Sequence, residues 1–154
     1  DDFGVFHLFE PLGINPPKWN HFDSGVVDSS GSFYQTPREM MKFGITYLNG
    51  GVWEGKQIIN EEWVANSSVP FGDNTNIKVP GINSNGEGYG YTWYIHESRH
   101  HGEPLNLFYA LGWGDQMIFV IPDLKMVVVF TGANYTTKPT SFTIFEKFIL
   151  PAIE

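Results

Sequence analysis

A chain of 154 residues fits one domain with a real hydrophobic core, and 13 Phe, 7 Tyr and 5 Trp among few charges argue against disorder. Nine basic against 17 acidic side chains leave a formal charge of −8 with no Lys/Arg cluster, so nucleic acids and anionic membranes are poor partners. The lack of Cys removes disulfides, thiolate metal sites and a Cys nucleophile, and leaves the compartment open.

In chain order, Phe3–Phe9 reads as the end of a helix stopped by Pro11 and Gly13, and a loop with Pro16-Pro17 and several glycines follows. The start Asp1-Asp2-Phe3 has neither the basic residues nor the apolar stretch of a signal peptide. Without an initial Met, the chain reads as a processed product or a fragment. Thr36-Pro37-Arg38-Glu39 is a strong helix start: Thr36 caps a free N–H, Pro37 suits the first turn and Glu39 bonds back. Met40, Phe43, Tyr47 and Leu48 then recur at helical spacing as one apolar face, and Asn49-Gly50-Gly51 ends the helix. Val52–Ile59 predicts a small hairpin turning at Glu54-Gly55, and Asn60 caps a short helix beginning Glu61-Glu62-Trp63-Val64.

Residues 67–88, rich in Asn, Gly, Ser and Pro, read as a long surface loop. Beyond it, Tyr89–His96, Leu107–Trp113, Gln116–Ile121 and Met126–Thr131 are β-rich runs separated by turn signals. The last two are nearly all apolar, as in central strands covered on both faces, and Pro122-Asp123-Leu124-Lys125 joins them as a hairpin. Neither run approaches the roughly 20 residues of a membrane-spanning helix. Ser141–Leu150 places Phe142, Phe145, Phe148 and Ile149 on one side of a closing helix. The class is α+β: a single domain over 1–154 with 1–66 mainly helical, 67–88 a loop, 89–132 antiparallel strands and 141–150 a C-terminal helix packed on them. Two Asn-x-Ser/Thr sequons, at Asn66 and Asn134, are what chance gives in so Asn-rich a chain.

His96-Glu97-Ser98-Arg99-His100 matches H-E-x-x-H literally, a zinc peptidase signature when both His lie one helical turn apart on one face. The flanks Tyr89–Ile95 and His101-Gly102-Glu103-Pro104 are β-prone or turn-forming, so a polar hairpin connection is the better reading; Glu146 as a third ligand has no support in its own context. No metal and no cofactor is called. Serine catalysis needs a base beside the hydroxyl, as in Ser-x-x-Lys. The residues three beyond the nine serines are Val27, Ser32, Phe33, Gln35, Pro70, Phe71, Glu87, His101 and Ile144, and no Gly-x-Ser-x-Gly occurs. Tyr47-Leu48-Asn49 fits a Tyr-x-Asn pattern, but Tyr47 falls on an apolar helix face and reads as core.

What remains is Gly112-Trp113-Gly114-Asp115-Gln116 at a strand end. Two glycines around a large residue let a ligand approach the backbone, whose N–H can meet a developing oxyanion; the same residues also describe a glycine-rich turn with a surface Trp.

Phe9-Glu10-Pro11-Leu12-Gly13-Ile14, Thr36–Gly44, Tyr47–Gly51, Trp53–Ile58, Trp63-Val64, Tyr89–Trp93, Tyr109–Gln116 and Ile118–Leu124, in that order, resemble the C-terminal half of a class C β-lactamase-like serine hydrolase, a family that includes penicillin-binding proteins, esterases and amide hydrolases. The resemblance implies a partial β-lactamase-like fold whose nucleophilic Ser, Lys and Tyr precede the matched portion, so the catalytic residues are absent and the chain alone is inactive. It places Gly112-Trp113-Gly114 at the family's Lys-Thr-Gly or His-Thr-Gly motif, making the Trp113 N–H one oxyanion donor and Gly112, Trp113, Gly114, Asp115 and Gln116 the substrate cleft. Without Lys or His there, and with Asp115 present, an uncharged ester or amide fits better than a penicillin. A periplasmic, cell-surface or secreted setting accompanies the resemblance. A truncated sheet would expose apolar surface or an open edge through which the piece forms a homodimer. The alternatives are a noncatalytic ligand- or partner-binding derivative and, remotely, the zinc peptidase using His96 and His100.

Overall fold

The computed structural model describes residues 2–28, 34–72, 88–135 and 140–154. Most of the 67–88 loop, four of the nine serines (Ser29, Ser30, Ser32 and Ser84) and Thr136 of the second sequon lie outside those residues.

The first helix, α1, covers Asp2–Gly4 and continues as a π-helical turn over Val5–Phe9. Gly13 (φ 60°) reverses the chain, and the Lys42 ammonium donates to the carbonyls of Leu12 (2.9 Å) and Gly13 (2.6 Å). Phe9, Leu12 and Ile14 are thereby buried as a small apolar cluster with Trp19 and Phe43.

Helix α2 is Pro37–Leu48, begun by the predicted capping box. Glu39 N–H donates to Thr36 Oγ1 (3.3 Å), and Thr36 N–H donates to Glu39 Oε2 (2.7 Å). The Thr36 N–H first, and then the Thr36 hydroxyl, which also donates to Glu39 Oε2 (2.9 Å), hold the Glu39 carboxyl below its ordinary range. A depressed carboxylate stabilises the fold above the usual carboxylate pKa, and that contribution is lost as pH falls through the lowered value. Thr36→Ala should return the Glu39 titration toward normal in a carboxyl NMR experiment and cost about 1 kcal/mol in denaturant unfolding.

A hairpin of β1 (Val52–Trp53) and β2 (Lys56–Gln57) turns at Glu54 (φ 48°) and Gly55 (φ 79°) as predicted. Helix α3 (Glu61–Ser67) follows, with Trp63 N–H donating to the Asn60 carbonyl oxygen of the side chain (3.1 Å).

Five antiparallel strands then form one sheet in chain order: β3 (Gly88–Tyr89), β4 (Tyr94–His100), β5 (Glu103–Gly112), β6 (Gln116–Ile121) and β7 (Met126–Phe130). The single run predicted at Tyr89–His96 is two strands. Gly90 sits where a Cβ would lie 2.1 Å from the Ser67 carbonyl oxygen, and Thr92 has φ 71°, so the chain turns at 90–93 before β4 begins. Strands β4 and β5 run further than the apolar pattern implied, because most of their extra residues are exposed or half-buried and lie on a hairpin whose turn is His101-Gly102, with Leu105 alone of them reaching the core.

Period-two alternation sends the two faces of the sheet into different layers. Leu105, Leu107, Tyr109, Met117, Phe119 and Ile121 face the closing helix, α4 (Thr140–Ile144), which continues through a π-helical turn (Phe145–Ile149) to Leu150–Ala152. Phe108, Ile118 and Val120 face Met40, Phe43, Tyr47 and Leu48 of α2, the predicted apolar face. Tyr47 is a core residue, its ring against Trp93 and its hydroxyl 3.2 Å from Ser67 Oγ. On α4, Phe142 and Phe145 are buried as expected, but Phe148 is 68% exposed. The π turn inserts a residue, rotating Phe148 outward and bringing Leu150 to the core.

Strand β7 differs from expectation in place, not in character. Met126, Val128 and Phe130 join the α4 layer and Val127 and Val129 the α2 layer, as in a central strand. Yet among the described residues no strand pairs with its outer side. The opposite edge, His96–His100 of β4, extends past β3 and is polar, the usual protection of an edge; β7 has none. No helix among the described residues is long and apolar enough to cross a membrane.

Candidate functional site

Strand β5 delivers Gly112 to the sheet end, where it pairs with Gln116 across the three-residue turn Trp113-Gly114-Asp115. Gly114 (φ 81°) and Asp115 (φ 70°) are both left-handed, a conformation glycine adopts freely and Asp tolerates. A Cβ on Gly114 would also lie 2.9 Å from the Tyr135 ring, so Gly is needed twice over.

The turn is held from three sides. Gln116 Nε2 donates to the Gly114 carbonyl (3.2 Å) and to the Gly132 carbonyl, while Gly132 N–H donates to Gln116 Oε1 (3.3 Å). Asn134 N–H donates to the Gly114 carbonyl (3.1 Å). Asp115 Oδ2 accepts from the N–H groups of Thr140 (2.9 Å) and Ser141 (3.0 Å), and Oδ1 accepts from the Ser141 hydroxyl. Asp115 thus caps α4 across 25 residues of sequence. Its carboxylate is engaged with the helix start.

Inside this clamp the Trp113 N–H donates to no group among the described residues. Its indole is 85% exposed, with the ring of Tyr135 (65% exposed) at a centroid distance of 6.0 Å. A fixed, unpartnered donor at an open strand end can stabilise a negative charge forming on a carbonyl oxygen without first reorganising. The five predicted residues, Gly112 through Gln116, form one turn: Gly112 pairs with Gln116 across it, and the side chains of Asp115 and Gln116 hold it in place. Sequence reasoning missed Gly132, Asn134, Tyr135 and Ser141. Only Asn134-Tyr135, after a strand, carried even a weak turn signal.

Among the described serines, Ser141 is buried against Asp115, and Ser67 and Ser68 donate to the Val64 carbonyl. The H-E-x-x-H residues lie on β4, so the hairpin-connection reading is corrected to a strand, one arm of the β4–β5 hairpin. At about 3.3 Å per strand residue, His96 and His100 are about 13 Å apart along it, too far to share one ion bound at about 2 Å. His96 instead has Nε2 at 3.3 Å from Glu146 Oε1 and its ring edge-on to Phe142. Among the described residues no three His, Asp or Glu side chains converge on a metal position.

No family model matches the chain, and no curated protein matches it. Among solved structures it is similar to a Bacillus anthracis protein that carries the provisional name 6-aminohexanoate-dimer hydrolase: TM-score 0.63, 23% identity, 82% of this chain covered. The chain spans 30% of that protein's length. At this identity the likeness establishes architecture: the chain has an α+β, β-lactamase-like fold, in part.

Proposed function

We propose that this chain, residues 1–154 as one unit, is the C-terminal portion of a β-lactamase-related serine hydrolase acting on an ester, amide or peptide bond. Gly112–Gln116 is its oxyanion wall, with the Trp113 N–H as one donor. The nucleophilic Ser with its Lys and the proton-transferring Tyr belong to polypeptide outside this chain. The observation that carries the reading is the Trp113 N–H, which donates to no group among the described residues and sits in a turn immobilised by Gln116, Asn134 and Asp115. The unprotected outer side of β7 supports it, as does the exposure of Phe3 and Phe6 on α1, since a larger fold has surface to place against both.

Alone, the chain should not turn over p-nitrophenyl acetate above the buffer rate, and should dimerise at sedimentation concentrations through β7 or the apolar surface. Joined to the polypeptide encoded upstream, with its Ser-x-x-Lys, it should gain turnover that Ser→Ala abolishes. Turnover by the isolated chain, or an upstream frame without Ser-x-x-Lys, overturns the proposal.

A further inference from the structure

Trp113 and Tyr135 are exposed aromatics whose backbone is held at the same turn. Trp113 rides on the clamped turn. Tyr135 is laid over Gly114, where a Cβ would come within 2.9 Å of its ring. The neighbouring Asn134 ties the same segment down twice, through its N–H to Gly114 and through Nδ2 to Thr140 Oγ1 (2.9 Å). The rings are tilted 36° to each other at 6.0 Å, leaving both largely open to solvent. Exposed rings that are already ordered bind flat apolar groups with little further loss of freedom. The nearest carboxylate, Asp115, is turned to the start of α4, so no free charge of the turn favours an ionic ligand.

We propose that Trp113 and Tyr135 form an aromatic ledge that receives the ring of an uncharged aryl ester or aryl amide, bringing the adjacent carbonyl toward the Trp113 N–H. The position of the carbonyl rests on the oxyanion-wall reading above; the ledge itself rests on the two rings.

The test is an NMR titration of the 154-residue chain with N-phenylacetamide, N-cyclohexylacetamide and acetamide, following the Trp113 indole signal and the Gly112–Gly114 amides. N-phenylacetamide should shift the Trp113 indole, and Tyr135→Ala should weaken its binding about fivefold, the loss of one aromatic contact. Tyr135→Phe should keep the affinity, and N-cyclohexylacetamide should bind several-fold more weakly. Equal affinity for acetamide, or N-phenylacetamide binding indifferent to both Tyr135→Ala and Trp113→Ala, overturns the ledge. If ring binding follows this pattern while the completed protein lacks esterase activity, the ledge stands and the hydrolase reading falls.

Discussion

Asp115→Ala is expected to lower the unfolding free energy by about 2–4 kcal/mol, read as a shift in the urea midpoint at constant m-value. Three losses coincide. The first turn of α4 loses the acceptor for its Thr140 and Ser141 N–H groups, worth about 1 kcal/mol for a cap. The Ser141 hydroxyl, 2% exposed, loses its carboxylate partner and keeps only the Met117 sulfur, a weak acceptor, at a cost within about 1–3 kcal/mol. Ala must also hold φ near 70°, which it does less readily than Asp, whose short polar side chain can hydrogen-bond locally in that conformation. These overlap, since a freed α4 relaxes all three, so their simple sum is an upper bound. Asp115→Asn keeps one oxygen acceptor and tolerates the left-handed backbone, and should cost less than half as much. Amide exchange at Asn134, whose N–H bonds the Gly114 carbonyl, should accelerate in the Ala variant. Unchanged stability would mean that α4 is held by packing alone.

Gly44→Leu should be at least as damaging, by about 3 kcal/mol or more. Gly44 lies within the apolar face of α2, where the helix meets the sheet most closely. A Cβ there would sit 2.6 Å from Val127 Cγ1 and 2.9 Å from Ile118 Cγ2. Adding one carbon already forces those β-branched side chains off their rotamers, and overpacking of this kind costs about 1–3 kcal/mol. Gly44→Ala gains up to about 1 kcal/mol of helix propensity in return, so its net loss should be smaller. Leu adds three further carbons with no space for them. Val127→Ala should partly rescue Gly44→Ala, and the double-mutant cycle should give a coupling of about 1 kcal/mol. Additive effects in that cycle would place the two side chains out of contact.

The readable parts of this fold are those whose causes are local. The Thr36–Glu39 box, the Glu54-Gly55 turn and the Asn60 cap each act over three or four residues, and each is formed as the sequence predicts. The apolar face of α2 was legible because burial on one side imposes a period, and the β6 and β7 segments because burial on both sides makes a short run almost wholly apolar. What was not legible depends on distant partners. Asp115 meets Ser141 across 26 residues, and His96 meets Glu146 across 50. No pattern within either segment announces the other. The break at 90–93 follows from the proximity of Gly90 to the Ser67 carbonyl, which aromatic β propensity at Tyr89–Tyr94 conceals. Phe148 kept helical spacing on paper and lost it to a π turn. At the candidate site, the residues of the turn were visible through their glycines, whereas its supports at Gly132 and Asn134 come from a segment without any pattern.

Strand β7 has one more consequence. Its side chains alternate between the α2 and α4 layers, so any strand that docks on its free side extends both hydrophobic layers at once and favours the ordered form of each by mass action. Through α4 that gain passes to the cap at Asp115, and from there to the Trp113 turn. Occupancy of the sheet edge and rigidity of the Trp113 turn are then thermodynamically linked: whatever completes the sheet also tightens that turn.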